Sequence, residues 1–478
     1  MTQRAARRHF LKSASALSFL GTASPFALNL ATIGSAAAQV PGEYRALICL
    51  FLFGGNDHTN TVIPLDIASH TEYFNARSTI ALGPVANAAA TDAASSRAAL
   101  AASSIGAIAS QGGREFALHP QLSAIRRYFT DGTSRTRAAV VANIGPLVVP
   151  MDRALYNSRP DLRPPKLFSH NDQQSMWQAH RPIGEGAQLG WGGRVGDLLA
   201  SGNTQPLFTA MSAAGNAVWL SGNSVRQFQV SSGGPVQMSA VAGGTLFGSS
   251  TSRVAYERMI TRTGTHLFDN EHAGVARRAI DANRTISAAL PPTLAGPAIP
   301  ANNSLANQLN VVARTIAART AIGATRQVFF VSIGGYDNHD FLLDQHVSNL
   351  GRVNTALAAF WQWIEAMNLE RNVTLFTASD FGRTLTSNGD GSDHGWGSHQ
   401  FVMGGAVNGG NMYGTFPPTA FNTSQDVGSG SLLPTTAVDQ YAATLGRWLG
   451  VSDTNIPLAL PNVANFGASR YITGLMQA

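Results

Sequence analysis

The sequence predicts an α/β fold, a mostly parallel sheet sandwiched by helices, with loop-rich insertions. Three apolar runs carry that expectation: residues 45–53, 327–333 and 373–378. Each is short enough for a buried strand, and each stops at a turn that holds a carboxylate. A helix-spaced stretch separates the last two, and strand–helix–strand is a right-handed crossover by strong default, which puts their ends on one edge of a parallel sheet. Ligands of open α/β sheets bind at that edge.

Residues 1–38 are set apart from the fold. Arg7 and Arg8, followed by His9, Phe10, Leu11 and Lys12, match the twin-arginine export pattern, and Ala36, Ala37 and Ala38 form a small-residue cleavage site. Gly21 and Pro25 interrupt the apolar segment between them, leaving it too weak for a stable membrane span. The expected organisation is a signal peptide over 1–38, then one α/β domain over 39–478 with a loop-rich insertion near 212–300. The expected location is periplasmic or secreted, with the twin-arginine translocase as partner during export.

Composition agrees with a folded exported protein. Only 13% of the 478 residues are charged, about half the usual share, and 48 are glycine. Setting Arg4, Arg7, Arg8 and Lys12 aside from the 33 basic residues leaves 29 against 27 acidic ones, so the net charge of +6 belongs largely to the leader. No Lys/Arg cluster remains to argue for nucleic acid. The single cysteine, Cys49, excludes an internal disulfide and sits in an apolar run, as a buried thiol does.

Along the chain, the strand over 45–53 ends in Gly54, Gly55, Asn56 and Asp57. Asp57 reads equally as a metal ligand or as an Asx turn or helix cap. His119 and Pro120 open a helix through Leu122, Ile125, Tyr128 and Phe129, and residues 138–144 form the next strand. Ser169 with Asp172 three residues on resembles a capping box, so a helix starts there; its free N–H groups also suit a nucleophile or an oxyanion. A helix over 190–199 and a strand over 206–211 follow. Residues 212–300 show no clear periodicity and read as a cap subdomain or covering loops. Leu309, Val312 and Ile316 mark a packed helix over 307–322. The strand over 327–333 ends in Gly334 and Gly335, with Asp337 and His339 just beyond. Leu350, Val353, Leu357, Phe360 and Ile364 then line a long helix, and residues 373–378 lead to Asp380. A Gly-rich loop brings Asp393, His394 and His399 before a further apolar run, 400–403, and a closing helix over 436–449.

Asp57, Asp337, His339, Asp380, His394 and His399 thus form a mixed carboxylate and imidazole set. Nitrogen with oxygen donors suits zinc or manganese rather than calcium. Two such ions about 4 Å apart would activate a nucleophile and stabilise the leaving oxygen of a phosphate or sulfate ester. Other templates fail: the sequence has no G-x-S-x-G elbow, no H-E-x-x-H helix, no Walker loop and no C-x-x-C pair.

The segments LFLFGGND, LHPQL, SHNDQQSMWQ, GGYDNH, ASDFGRT, DHGWGSHQFVMGGAVNGG and TTAVDQYAATLGRWLG, behind a twin-arginine leader, together resemble the bacterial family called domain of unknown function 1501, from about residue 45 to 450. That family is similar in fold to the alkaline phosphatase and sulfatase superfamily, which implies a binuclear metal site. The resemblance matches Asp57 to the first-strand metal carboxylate, Asp337 and His339 to one metal site, Asp380 to the other, and His394 to the late histidine. Phe381 departs from the pattern, standing where the phosphatases have a histidine, so His399 or His170 must substitute, or one metal binds. Ser169, Asp172 and Ser175 compete for the nucleophile's place.

The resulting expectation is an exported metal-dependent hydrolase of phosphate or sulfate esters, using one or two zinc or manganese ions. Ser169 or Asp172 serves as nucleophile or anion contact, and Arg383 either neutralises the ester's charge or is a solvated surface residue. The alternative is a non-catalytic periplasmic protein that binds a glycan, anion or partner, or helps assemble the cell surface. Replacing Arg7 and Arg8 with lysine should abolish export, measured by fractionation and immunoblotting; undiminished export of that variant would remove the twin-arginine assignment.

Overall fold

Backbone pairing across the apolar runs builds one large mixed sheet. The computed structural model describes residues 43–85, 87–179 and 186–477, so the export segment 1–38 lies outside the described residues. In chain order the elements that frame the site are β1 (Arg45–Leu52), α1 (Ser123–Thr130), β2 (Arg137–Gly145), α2 (His170–Ala179), α3 (Trp191–Leu199), β3 (Ala210–Ser212), α4 (Ser250–Ile260), α5 (Leu267–Ala289), α6 (Ser304–Ala317), β4 (Arg326–Ile333), α7 (Leu342–Ala366), β5 (Val373–Ser379), β6 (Ser398–Gly404) and α8 (Val438–Leu449).

The strand order is β2–β6–β5–β1–β4–β3, extended beyond β3 by Phe228–Ser231 and Gly234–Pro235. β1 pairs in parallel with both β5 and β4, and β4 in parallel with β3. β6 is the exception, antiparallel to both β5 and β2, so its first residue, Ser398, lies at the edge where the parallel strands end. Every strand end that the sequence marks with a carboxylate therefore opens onto that edge.

Alternation along β1 divides the core into two layers. Ala46, Ile48 and Leu50 face one layer, shared with α1, α6 and α7. Leu47, Cys49 and Phe51 face the other, shared with α3 and α8. Burial pushes the Cys49 thiol well above its usual pKa, as an inert packed side chain requires.

Two expectations need correction. Pro206–Phe208 is a 3₁₀ turn, and the strand that follows is only Ala210–Ser212, because a proline at the start cannot donate to a ladder. The stretch 212–300 is not loop-rich throughout: it contains α4 and the 23-residue α5. α4 has no buried residue, and three of the five buried residues of α5 are alanines, so neither helix carries the bulky apolar stripe that would mark it in the sequence.

The turn after β1 depends on close backbone approach. Gly54 has φ +116°, and a Cβ there would overlap the backbone nitrogen of Asp337. The Ser379 hydroxyl donates to the Leu52 carbonyl at 2.6 Å and accepts the Asn56 N–H at 2.8 Å, tying the end of β5 to the same turn. Gly54→Ala should destabilise the protein by about 1–3 kcal/mol through strain and overlap. Equilibrium urea unfolding measures this, and an unchanged midpoint would show that the approach is not required.

Candidate metal centre

Asp337 is the hub of a cluster at the carboxyl edge of the sheet. It follows β4 by four residues and is about half exposed. Its Oδ1 lies 3.1 Å from His394 Nε2 and 3.2 Å from His339 Nε2, while its Oδ2 lies 3.2 Å from His170 Nε2. The Nε2 atoms of His339 and His394 are themselves only 2.9 Å apart.

The opposite ring nitrogen of each histidine is committed. His170 Nδ1 meets Asp380 Oδ2 at 2.7 Å, His339 Nδ1 meets Asp393 Oδ1 at 3.0 Å, and His394 Nδ1 meets the Phe168 carbonyl at 2.7 Å. Carboxylates and carbonyls only accept, so each Nδ1 carries the proton, and in a neutral ring each Nε2 presents a lone pair. Three such lone pairs face one carboxylate. Electron-pair donors held this close to one another are stable only with a positive charge among them. Donors bonded at about 2.1 Å to a tetrahedral ion sit about 3.4 Å from one another, close to the separations present. An N–H given to a carboxylate or carbonyl is also the support that metal-bound histidines receive. The ligand atoms of His170, Asp337 and His394 all lie within 4.8 Å of one another. The residues therefore fit a divalent metal.

Charge follows the same geometry. Burial raises the Asp337 pKa, but the Arg383 hydrogen bond, with His170 and His394, outweighs it and carries the carboxyl down to about 2. The Asp380 hydrogen bond raises the pKa of His170 against the pull of burial, and a more basic ring is a stronger donor to a cation. Burial lowers that of His394, keeping its Nε2 lone pair free.

The supporting residues explain each local choice. His170 and Gln174 lie one turn apart on α2, so both reach Asp380 Oδ2, the Gln174 amide at 2.7 Å. Asp380 is fully buried, and its Oδ1 has no hydrogen-bond partner among the described residues. Phe381 takes no metal; its ring lies 4.9 Å from that of His170 and 4.6 Å from that of His394, a wall for both. It fits because position 55 is glycine: a Cβ there would strike the Phe381 ring.

The expected ligands divide accordingly. Asp337, His339 and His394 meet directly, and His170 joins them. Asp380 sits behind His170 rather than against the other imidazoles. Asp57 does not join the three imidazoles: one oxygen is held in a buried ion pair with Arg77, whose guanidinium also donates to the Thr384 carbonyl at 3.0 Å. Its other oxygen is buried without a hydrogen-bond partner among the described residues. His399 does not reach the centre. It lies within β6, accepts the Asn143 N–H on Nδ1 at 3.1 Å and edges onto His58, and burial lowers its pKa to about 3. Arg383 is not a solvated surface residue: it is fully buried and donates to Asp337 Oδ1 at 2.8 Å and to the carbonyl of Ser392. Ser169 donates to Asp172 Oδ2 at 2.7 Å, and Asp172 is buried with Lys166 3.7 Å away.

Gln174 and Arg77 carry weight that the sequence reading did not give them, while His170, named there only as a substitute for the missing histidine, meets Asp337 directly, and Asp393 supports His339. The i, i+4 spacing of His170 and Gln174 at a helix start was the available signal for that pair. Arg77 had none, since it meets Asp57 across a turn and a helix.

Fold and site define an α/β protein with a mostly parallel sheet and a histidine-rich candidate metal centre at its carboxyl edge. The chain belongs to the family described as "Protein of unknown function (DUF1501)", whose model matches residues 44–457. No curated protein matches the sequence. Among solved structures, the C-terminal periplasmic domain of EcEptC from Escherichia coli, in complex with Zn, is similar at 9% identity and a TM-score of 0.33, over 89% of this chain and 88% of that one. Ps i-CgsB in complex with k-i-k-neocarrahexaose is similar at 10% identity and a TM-score of 0.35, over 90% of this chain and 77% of that one.

Arg77→Met should cost about 3–5 kcal/mol in unfolding free energy, because it leaves Asp57 buried without its cation. Adding Asp57→Asn should restore much of the loss. Urea unfolding of the two variants checks this, and a neutral Arg77→Met would show that the pair does not neutralise Asp57.

Proposed function

We propose that the protein is an exported hydrolase of phosphate or sulfate esters that works with one divalent ion, zinc or manganese, held by His170, His339, His394 and Asp337. The observation that carries this reading is the meeting of three imidazole lone pairs at one carboxylate, with every opposite ring nitrogen already committed. A divalent cation there supplies positive charge to a phosphoryl or sulfuryl oxygen.

The chain's own residues do the rest. Asp380, Asp393 and the Phe168 carbonyl orient the imidazoles. Arg383, already spent on Asp337, positions that carboxylate rather than contacting the ester. Ser169, between Phe168 and His170, is the proposed nucleophile: its hydroxyl would attack phosphorus or sulfur as the ester alkoxide leaves, its proton passing to Asp172 Oδ2, and water would then release the phosphate or sulfate from the Ser169 oxygen. Arg77 supplies to Asp57 the positive charge that a second ion would otherwise bring. That substitution equally favours a second reading, a binding protein on a hydrolase fold, in which the ion organises a ligand site without turnover. Export through the twin-arginine translocase, which moves folded proteins, belongs to the proposal. No helix among the described residues is long and apolar enough to cross a membrane.

Plasma mass spectrometry of protein purified without chelators should find close to one equivalent of zinc or manganese, and none in His394→Ala. Two equivalents would overturn the single-ion assignment and give Asp57 Oδ1 and Asp380 Oδ1 a ligand's role. Asp380→Asn should weaken metal binding about 10–100-fold by removing the support of His170. Ser169→Ala should keep the metal and lose hydrolysis of aryl phosphates and aryl sulfates; metal-loaded wild type inert on both would favour the binding reading.

A further inference from the structure

The loop that delivers His170 also builds the wall of an open groove. Tyr156, Pro160, Arg163, Pro164, Lys166 and Phe168 line about 580 Å³. Phe168 belongs to both places: it lines the groove, and its carbonyl holds His394 Nδ1. The groove therefore begins one hydrogen bond from the metal centre.

Its wall is stiffly built. Lys166 and Phe168 have φ of +47° and +72°, two left-handed non-glycine residues within three positions, and such strain persists where surrounding structure imposes it. The Arg163 guanidinium lies 4.0 Å from the Tyr156 ring centroid while its Nε donates to the Tyr156 carbonyl at 2.6 Å. Charge in the groove is positive. Asp161 is paired with Arg159 at 2.6 Å, which leaves Arg163 and the exposed Lys166, whose one ion pair among the described residues is a long contact to Asp172.

We propose that this groove is the subsite for the rest of the ester substrate, and that it takes an oligosaccharide bearing further sulfate, phosphate or carboxylate groups; as a substrate assignment it rests on the hydrolase reading above. Arg163 and Lys166 neutralise a group beyond the one at the metal centre, and Pro160 and Pro165, also in the lining, supply apolar surface for sugar C–H groups. A nucleic acid fits less well. Base stacking needs an open aromatic face, whereas Tyr156 is covered by Arg163 on one side and lies against Trp396, 6.0 Å away, in a tilted contact.

The test is calorimetric titration of the full mature chain with sulfated dextran oligosaccharides, and with oligothymidylate of equal charge. Arg163→Gln with Lys166→Asn should weaken sulfated dextran binding at least tenfold. Asparagine tolerates the left-handed backbone at 166, so Lys166→Asn alone, expected to weaken binding several-fold, keeps the test valid if the double variant unfolds. Arg371→Gln lies in a separate arginine-lined cleft at the opposite edge of the sheet and should leave binding unchanged. His339→Ala should lose metal yet still bind the oligosaccharide, so a groove that binds without any turnover sinks only the hydrolase reading. Unchanged binding in both Lys166 variants, loss of binding in Arg371→Gln, or oligothymidylate bound as tightly as sulfated dextran would each overturn the proposal.

Discussion

The arrangement around Asp337 depends on electrostatic frustration. Carboxylate oxygens and neutral imidazole lone pairs repel one another, yet here they are packed to about hydrogen-bond distance, with an Arg383 N–H given to Asp337 Oδ1. Much of the surrounding structure serves to impose that proximity. The Gly54 turn lets β1 pass close behind Asp337, buried Arg383 holds its carboxylate, and Phe381 fixes two ring planes. Preorganisation of this kind is how a fold places its cost in the scaffold rather than in the binding step.

The sheet explains why residues so distant in sequence can be placed so tightly. β1, β4 and β5 are adjacent and parallel, so their final residues are neighbours whatever the length of chain between them. Antiparallel β6 then returns the loop bearing Asp393 and His394 to the same edge. α2 adds His170 from a different direction, and its i, i+4 face delivers Gln174 to the same carboxylate oxygen. A ring of donors thus comes from three separate segments: the turn after β4, the loop before β6, and the start of α2.

Much of this was legible in the sequence. The strands are continuous apolar runs, and α7 and α8 carry bulky stripes, so periodicity finds them. Asp337, His339 and His394 were identifiable because carboxylate and imidazole occur within two residues of one another near strand ends. α4 and α5 were not, since alanine faces and half-exposed helices leave little apolar signal. Asp57 shows the deeper limit. A strand, a Gly-Gly turn and an aspartate look the same whether the carboxylate awaits a metal or an arginine, and the deciding partner lies on another element. His399 erred for a related reason: strand alternation sends neighbouring side chains to opposite faces, and nearness in sequence to His394 says nothing about sharing its pocket.

The Arg77–Asp57 pair has a consequence for how the protein is assembled. A guanidinium is part of the chain, so the positive charge beside Asp57 is present as soon as the chain folds and no chelator or competing ion can remove it. If the proposed ion binds among the imidazoles, the surroundings of Asp57 would not depend on it, because their positive charge is covalently part of the chain.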